Sequence, residues 1–116
     1  MLVNKRKGAL ALAAAVSMLA GVAQAESHVI MIVDGGYFPA VIYAQPGDNL
    51  IFENWSEAEH TVGDPNGSWT SASIPSEGGN FVLHLTEETP LIYAGLDVYG
   101  DTITGEISHD APPYTE

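Results

Sequence analysis

Two histidines stand where their neighbours suggest metal chemistry. His60 closes the run Asn54-Trp55-Ser56-Glu57-Ala58-Glu59-His60, and a neutral imidazole readily binds Cu(II), Ni(II) or Zn(II). A single histidine does not make a tight site, so His60 reads better as a residue that caps or hydrogen-bonds its loop end. His28 follows Glu26 and Ser27 directly after an Ala23-Gln24-Ala25 processing pattern. Cleavage there would place a histidine third from a free amine. The amine of Glu26, two backbone amides and the His28 ring could then wrap square-planar Cu(II) or Ni(II). His84 and His109 have no such context and read as ordinary exposed histidines. The sequence holds no cysteine, so neither a thiolate ligand nor a disulfide is available.

Residues 1–25 read as a signal peptide. Lys5, Arg6 and Lys7 form the charged start, an apolar run follows, and Ala23-Gln24-Ala25 supplies the small-x-small cleavage pattern. The apolar run falls short of the roughly 20 residues that span a bilayer. A periplasmic or secreted chain without a membrane span is the expectation. Its charge is one-sided: the three cations all precede Glu26, and all fifteen Asp and Glu lie from Glu26 onward. A chain beginning at Glu26 therefore cannot form a Lys or Arg ion pair. Such a surface disfavours nucleic acid and anionic lipid, and suits a protein partner with a basic or metal-bearing face.

The elements that must position these residues read as strands. Residues 28–33 are apolar and β-branched and stop at Asp34-Gly35-Gly36. Residues 41–44 end at Pro46-Gly47-Asp48, and residues 49–54 carry Leu50-Ile51-Phe52. Residues 80–85 alternate, with Phe81, Leu83 and Leu85 on one face and Val82 and His84 on the other. Residues 91–94 and 103–108 complete the set. Residues 69–76 are polar around an isolated Trp69 and Ile74, which predicts a long surface excursion. Frequent turns between short strands predict an all-β domain, an antiparallel Greek-key β-sandwich, over residues 26–109. Residues 110–116 read as a flexible acidic tail.

The order of Phe38-Pro39, Pro46-Gly47-Asp48, Ile51-Phe52-Glu53-Asn54 and His60-Thr61-Val62 resembles the cupredoxins of the plastocyanin, amicyanin and pseudoazurin type. In that family a Pro-Gly-Asp turn precedes a strand ending in Asn, and the first copper histidine follows six residues later. Ile103-Thr104-Gly105-Glu106-Ile107 resembles the family's closing Met-x-Gly-x-Val strand. The resemblance implies a cupredoxin-like sandwich. It also locates the lost copper-ligand positions: counting back from Ile103, the cysteine place is Gly95 and the second histidine place is Val98. A blue-copper centre needs a cysteine thiolate, so a type 1 site is not expected.

Other chemistry finds little support. Asp64-x-Asn66-x-Ser68 begins like a calcium loop, but Trp69 takes the glycine place and Pro75 the bidentate glutamate place. No serine has a nucleophile-elbow context, and no glycine loop precedes a helix. The expectation is a non-enzymatic binding or docking module that requires no cofactor. Leu96, Val98 and Tyr99 would form its contact patch if residues 95–100 make the rim. One alternative is a copper(II)-handling protein using Glu26, His28 or His60. A ligand-free structural subunit is the other.

Overall fold

Strand-forming segments punctuated by Gly, Pro and Asp turns build two facing sheets in the computed structural model, which describes residues 24–113. The strands are β1 (Ser27–Val33), β2 (Gly36–Phe38), β3 (Val41–Tyr43), β4 (Asn49–Asn54), β5 (Gly79–His84), β6 (Ile92–Leu96) and β7 (Thr102–Ser108). One sheet runs β2-β1-β4-β5 and the other β3-β7-β6. Residues 1–23 of the expected signal peptide and 114–116 of the expected tail lie outside the described residues. Among the described residues no helix is long and apolar enough to cross a membrane.

The expected β-sandwich forms, with one correction to its pairing. Two ladders are parallel rather than antiparallel. β1 runs beside β4 from Ser27 and Asn49 to Ile32 and Asn54, and β3 runs beside β7 from Val41 and Glu106 to Tyr43 and Ser108. The reason is the crossing of the chain between layers. After the β1 to β2 hairpin it visits the second sheet as β3, then returns to pair with β1 from the other side. That return brings β4 in travelling the same way as β1, which a hairpin cannot do.

Alternation sets the faces. Ile30 and Ile32 of β1 point inward while Val29, Met31 and Val33 stay exposed, and Leu50 and Phe52 of β4 are fully buried. Leu50 lies opposite Leu83 and Phe52 opposite Phe81 across the β4 to β5 ladder, as the alternation of residues 80–85 predicts. Each large apolar side chain removed from water contributes about 1.5–3 kcal/mol. Such packing is what holds together a fold with no disulfide.

A second correction concerns residues 69–76. Ile74 is buried in the core, and Trp69 packs against it, stacked on Phe81 with ring centroids 6.0 Å apart. Backbone bonds tie the segment to the candidate histidine, with His60 N donating to Ile74 O (3.0 Å) and Ile74 N to His60 O (2.7 Å). Its two apolar residues stand five apart, which matches neither the strand period nor the helical one, so pattern alone hides their burial.

Candidate functional site

His60 sits at the end of a loop pinned by the last residue of β4. Asn54 is fully buried. Its Nδ2 donates to Ala58 O and Ile74 O (both 2.9 Å), while its Oδ1 accepts from Ser56 N (3.0 Å) and Ser56 Oγ (2.6 Å). Those four bonds fold the chain back so that His60 points into the sandwich, where it is only 5% exposed. Its Nε2 lies 2.7 Å from the Tyr37 hydroxyl. Burial holds the imidazole below its usual pKa, and a hydrogen bond to the Leu96 backbone opposes that shift. Burial pushes the Tyr37 phenol up, and the neighbouring Tyr93 adds to it. The pair is therefore a neutral phenol against a neutral imidazole.

Gly95 completes this site from β6. A Cβ built there would fall 2.6 Å from both His60 Nε2 and Tyr37 Oη, and 2.7 Å from Thr61 O. The structure thus brings together His60 and Gly95, the place where the resemblance locates the missing cysteine. The space between them is already taken by Tyr37. Ile103 is registered opposite Gly95 on β7. Val98 lies on the β6 to β7 turn, its N donating to Asp34 O (3.2 Å).

That turn is stiff. Asp97 Oδ1 accepts from Tyr99 N and from Asp101 N (both 2.9 Å), Asp97 N donates to Asp101 O (2.8 Å), and Gly100 supplies the positive φ the turn needs. Asp34, the residue after β1, braces it through its carbonyl, and the Asp34 carboxylate also accepts from Glu57 N at 2.8 Å. Leu96 and Tyr99 project from this frame with 59% and 76% exposure, while Val98 is half-buried.

A second cluster lies at Glu26 and His28. His28 Nε2 is 2.9 Å from Asp48 Oδ2 and 3.9 Å from a Glu26 carboxylate oxygen, and Glu26 N donates to Asp48 Oδ1 at 3.0 Å. One ligand atom from each of the three residues lies within 4.8 Å of the others. Beside them is a groove of about 440 Å³, walled by Pro39, Val41 and Tyr43 and approached by Asp110. Sequence reasoning missed Asp48, which reads as the end of a turn. The parallel register of β1 on β4 is what delivers it to His28, and no local pattern encodes that register.

Backbone N–H groups of Gln45 and Glu26, and then His28, hold the Asp48 carboxyl down to about 2. A depressed carboxylate adds stability that is present above its unfolded pKa and lost as pH falls through the folded one. Asp48→Asn is therefore expected to cost about 1–2 kcal/mol at neutral pH, with the cost fading between about pH 4 and about pH 2. Urea unfolding of both proteins across that range checks it. A pH-independent difference would refute the assignment.

No family model and no curated protein matches this chain. Solved structures similar to it include the following three. One is a pseudoazurin from Sinorhizobium, at 22% identity and TM-score 0.47, with 76% of each chain covered. Another is dithionite-reduced auracyanin from the photosynthetic bacterium Roseiflexus castenholzii, at 15% identity and TM-score 0.46, covering 78% of this chain and 100% of that one. The third is a chain of a heme-copper terminal oxidase dimer, at 11% identity and TM-score 0.48, covering 93% and 99%. These are similarities of fold.

His84 Nδ1 meets Asn49 Oδ1 at 2.9 Å on the exposed face of the first sheet, and His109 Nδ1 meets Ala44 O at 2.7 Å. Neither joins His60 or His28.

Proposed function

We propose that the chain, processed after Ala25, is an exported, acidic, cupredoxin-like docking protein that works without a type 1 copper centre and without enzymatic activity. The observation that carries this reading is the braced turn presenting Leu96 and Tyr99 beside the His60 site. A rigid, exposed aromatic side chain loses little entropy on contact and is a favoured interface anchor. Charge selects the partner: no Lys or Arg occurs among residues 24–113, so a basic protein surface is steered toward this one and a second copy is repelled. The lack of any cysteine supports the absence of a blue-copper centre, and Tyr37 fills the space between His60 and Gly95.

A basic c-type cytochrome serves as the probe. Amide shifts of the labelled protein on titration are expected to concentrate at residues 96–100, and to shrink as salt is raised. Tyr99→Ala is expected to weaken the contact about tenfold, an ordinary cost for an aromatic anchor. Shifts spread evenly over the acidic surface, with Tyr99→Ala neutral, would reject the patch.

A second reading is copper(II) binding at the amino terminus, favoured by the convergence of Glu26, His28 and Asp48. The all-nitrogen chelate fits poorly, because Ser27 and His28 are registered on Asn49 and Leu50 and their amides lie in a paired strand. An imidazole with two carboxylates fits without unpairing β1, and cleavage would add the Glu26 amine beside Asp48. Isothermal titration of the chain starting at Glu26 with Cu(II) is expected to show a site weakened by His28→Ala and by Asp48→Asn, and unaffected by His60→Ala. Equal affinity in all of these proteins would remove the reading.

A further inference from the structure

The interior holds two tyrosines side by side that differ in one respect. Tyr37 and Tyr93 are both buried, their rings 4.9 Å apart in an edge-on contact. The Tyr93 hydroxyl has no hydrogen-bond partner. The Tyr37 hydroxyl lies 2.7 Å from His60 Nε2. A neutral imidazole accepts at one ring nitrogen, and the tautomer protonated on Nδ1 makes His60 Nε2 the acceptor and the phenol the donor. A buried base is thus held at hydrogen-bond distance from one phenol and not from the other.

We propose that Tyr37 and His60 form a redox-active pair, in which Tyr37 gives up one electron while its hydroxyl proton passes to His60 Nε2. The O–H bond of Tyr37 breaks, an N–H bond forms on His60, and the electron goes to a one-electron oxidant of higher potential than a phenol, such as a high-valent metal centre. The products are a neutral tyrosyl radical, an imidazolium and an acceptor reduced by one electron. Return of the electron reverses both transfers.

Three features favour this chemistry. Oxidised phenol is a very strong acid, so the reaction is easiest where a base already accepts its proton. Tyr93 has none, which localises the oxidised state on Tyr37. The pair also gains one positive charge, and residues 24–113 carry many carboxylates and no Lys or Arg, a net field that favours that charge. Access is short, because the pair lies directly beneath Gly95, which has no side chain and is itself half-buried at the surface next to Leu96. Away from that edge, Phe52 sits 5.1 Å from Tyr93 and 6.3 Å from Trp69, so the same tyrosines continue into a contiguous aromatic cluster.

The test uses the chain with Tyr43, Tyr99 and Tyr114 changed to Phe, and Trp55 to Phe, so that Tyr37 and Tyr93 are the only tyrosines left. Photo-oxidised ruthenium tris-bipyridine supplies the oxidant, and freeze-quenched paramagnetic resonance reads the product. A tyrosyl signal is expected that is lost in Tyr37→Phe and kept in Tyr93→Phe. His60→Gln is expected to lower its yield about tenfold or more, as one strong hydrogen bond is removed from the product. Electron-nuclear double resonance in D2O, with His60 intact, is expected to show an exchangeable deuteron hydrogen-bonded to the radical oxygen. That measurement stands even if His60→Gln does not fold. A signal that survives Tyr37→Phe unchanged, the absence of any tyrosyl signal, or a radical with no such deuteron would each overturn the proposal.

Discussion

Replacing Gly105 by alanine is expected to destabilise the sandwich by about 3 kcal/mol, at the upper end of what overpacking usually costs. Gly105 on β7 is registered opposite Tyr93 on β6, and the Tyr93 ring lies directly over its α-carbon. A Cβ would overlap the ring atoms Cζ, Cε2 and Oη. The ring cannot swing away, because Tyr37 crosses it at 4.9 Å and Phe52 at 5.1 Å. With a total stability of about 5–15 kcal/mol for a domain of this kind, the loss is a large fraction of the whole. Equilibrium unfolding in urea measures it, and a double-mutant cycle assigns it. Gly105→Ala should cost much less in a Tyr93→Leu background, where the ring is gone. An alanine variant as stable as the native chain would show that the ring has room to move.

Asn54→Ala is expected to be of similar size, about 3 kcal/mol, for a different reason. The substitution removes four hydrogen bonds at once, leaving the buried Ser56 amide without a partner and the Ile74 carbonyl with only its bond from His60 N. Each buried group left without a partner costs about 1–3 kcal/mol. Asn54→Asp keeps the shape but sets a carboxylate against the Ala58 and Ile74 carbonyls, and is expected to cost at least as much. The effect should reach the candidate site, since the same bonds turn the chain toward His60. The ring-proton shifts of His60 are therefore expected to move toward solvent-exposed values in the alanine variant. Unchanged shifts together with full stability would mean that the loop is held by its backbone bonds to residue 74 alone.

How much of this was legible in the sequence depends on the range of the interactions involved. The inward faces of β4 and β5 follow from the alternation around Leu50, Phe52, Phe81 and Leu83, which is a local property of a half-buried strand. Asn54 was visible as the end of a strand, six residues before His60, although its function is structural: it shapes the loop. Tyr37 is buried and meets His60, which nothing in its local sequence foretells. β2 has only three residues, too few for alternation to reveal which way its middle residue points. Asp48 looked like a turn residue because the contact that gives it chemistry, with His28, depends on two strands meeting in parallel. Residues 69–76 looked polar because their core contacts are spaced five apart.

The parallel partnership of β3 with β7 has a kinetic side. Val41 and Glu106 are neighbours in space and 65 residues apart along the chain. No disulfide draws the strands together early, and no Lys or Arg offsets the mutual repulsion of the carboxylates between them. The closure entropy of that long span must be overcome before the second sheet is rewarded by its own contacts. The chain is expected to fold on the slow, millisecond-to-second scale of sheet proteins with distant pairings, accelerating in salt as the like charges are screened.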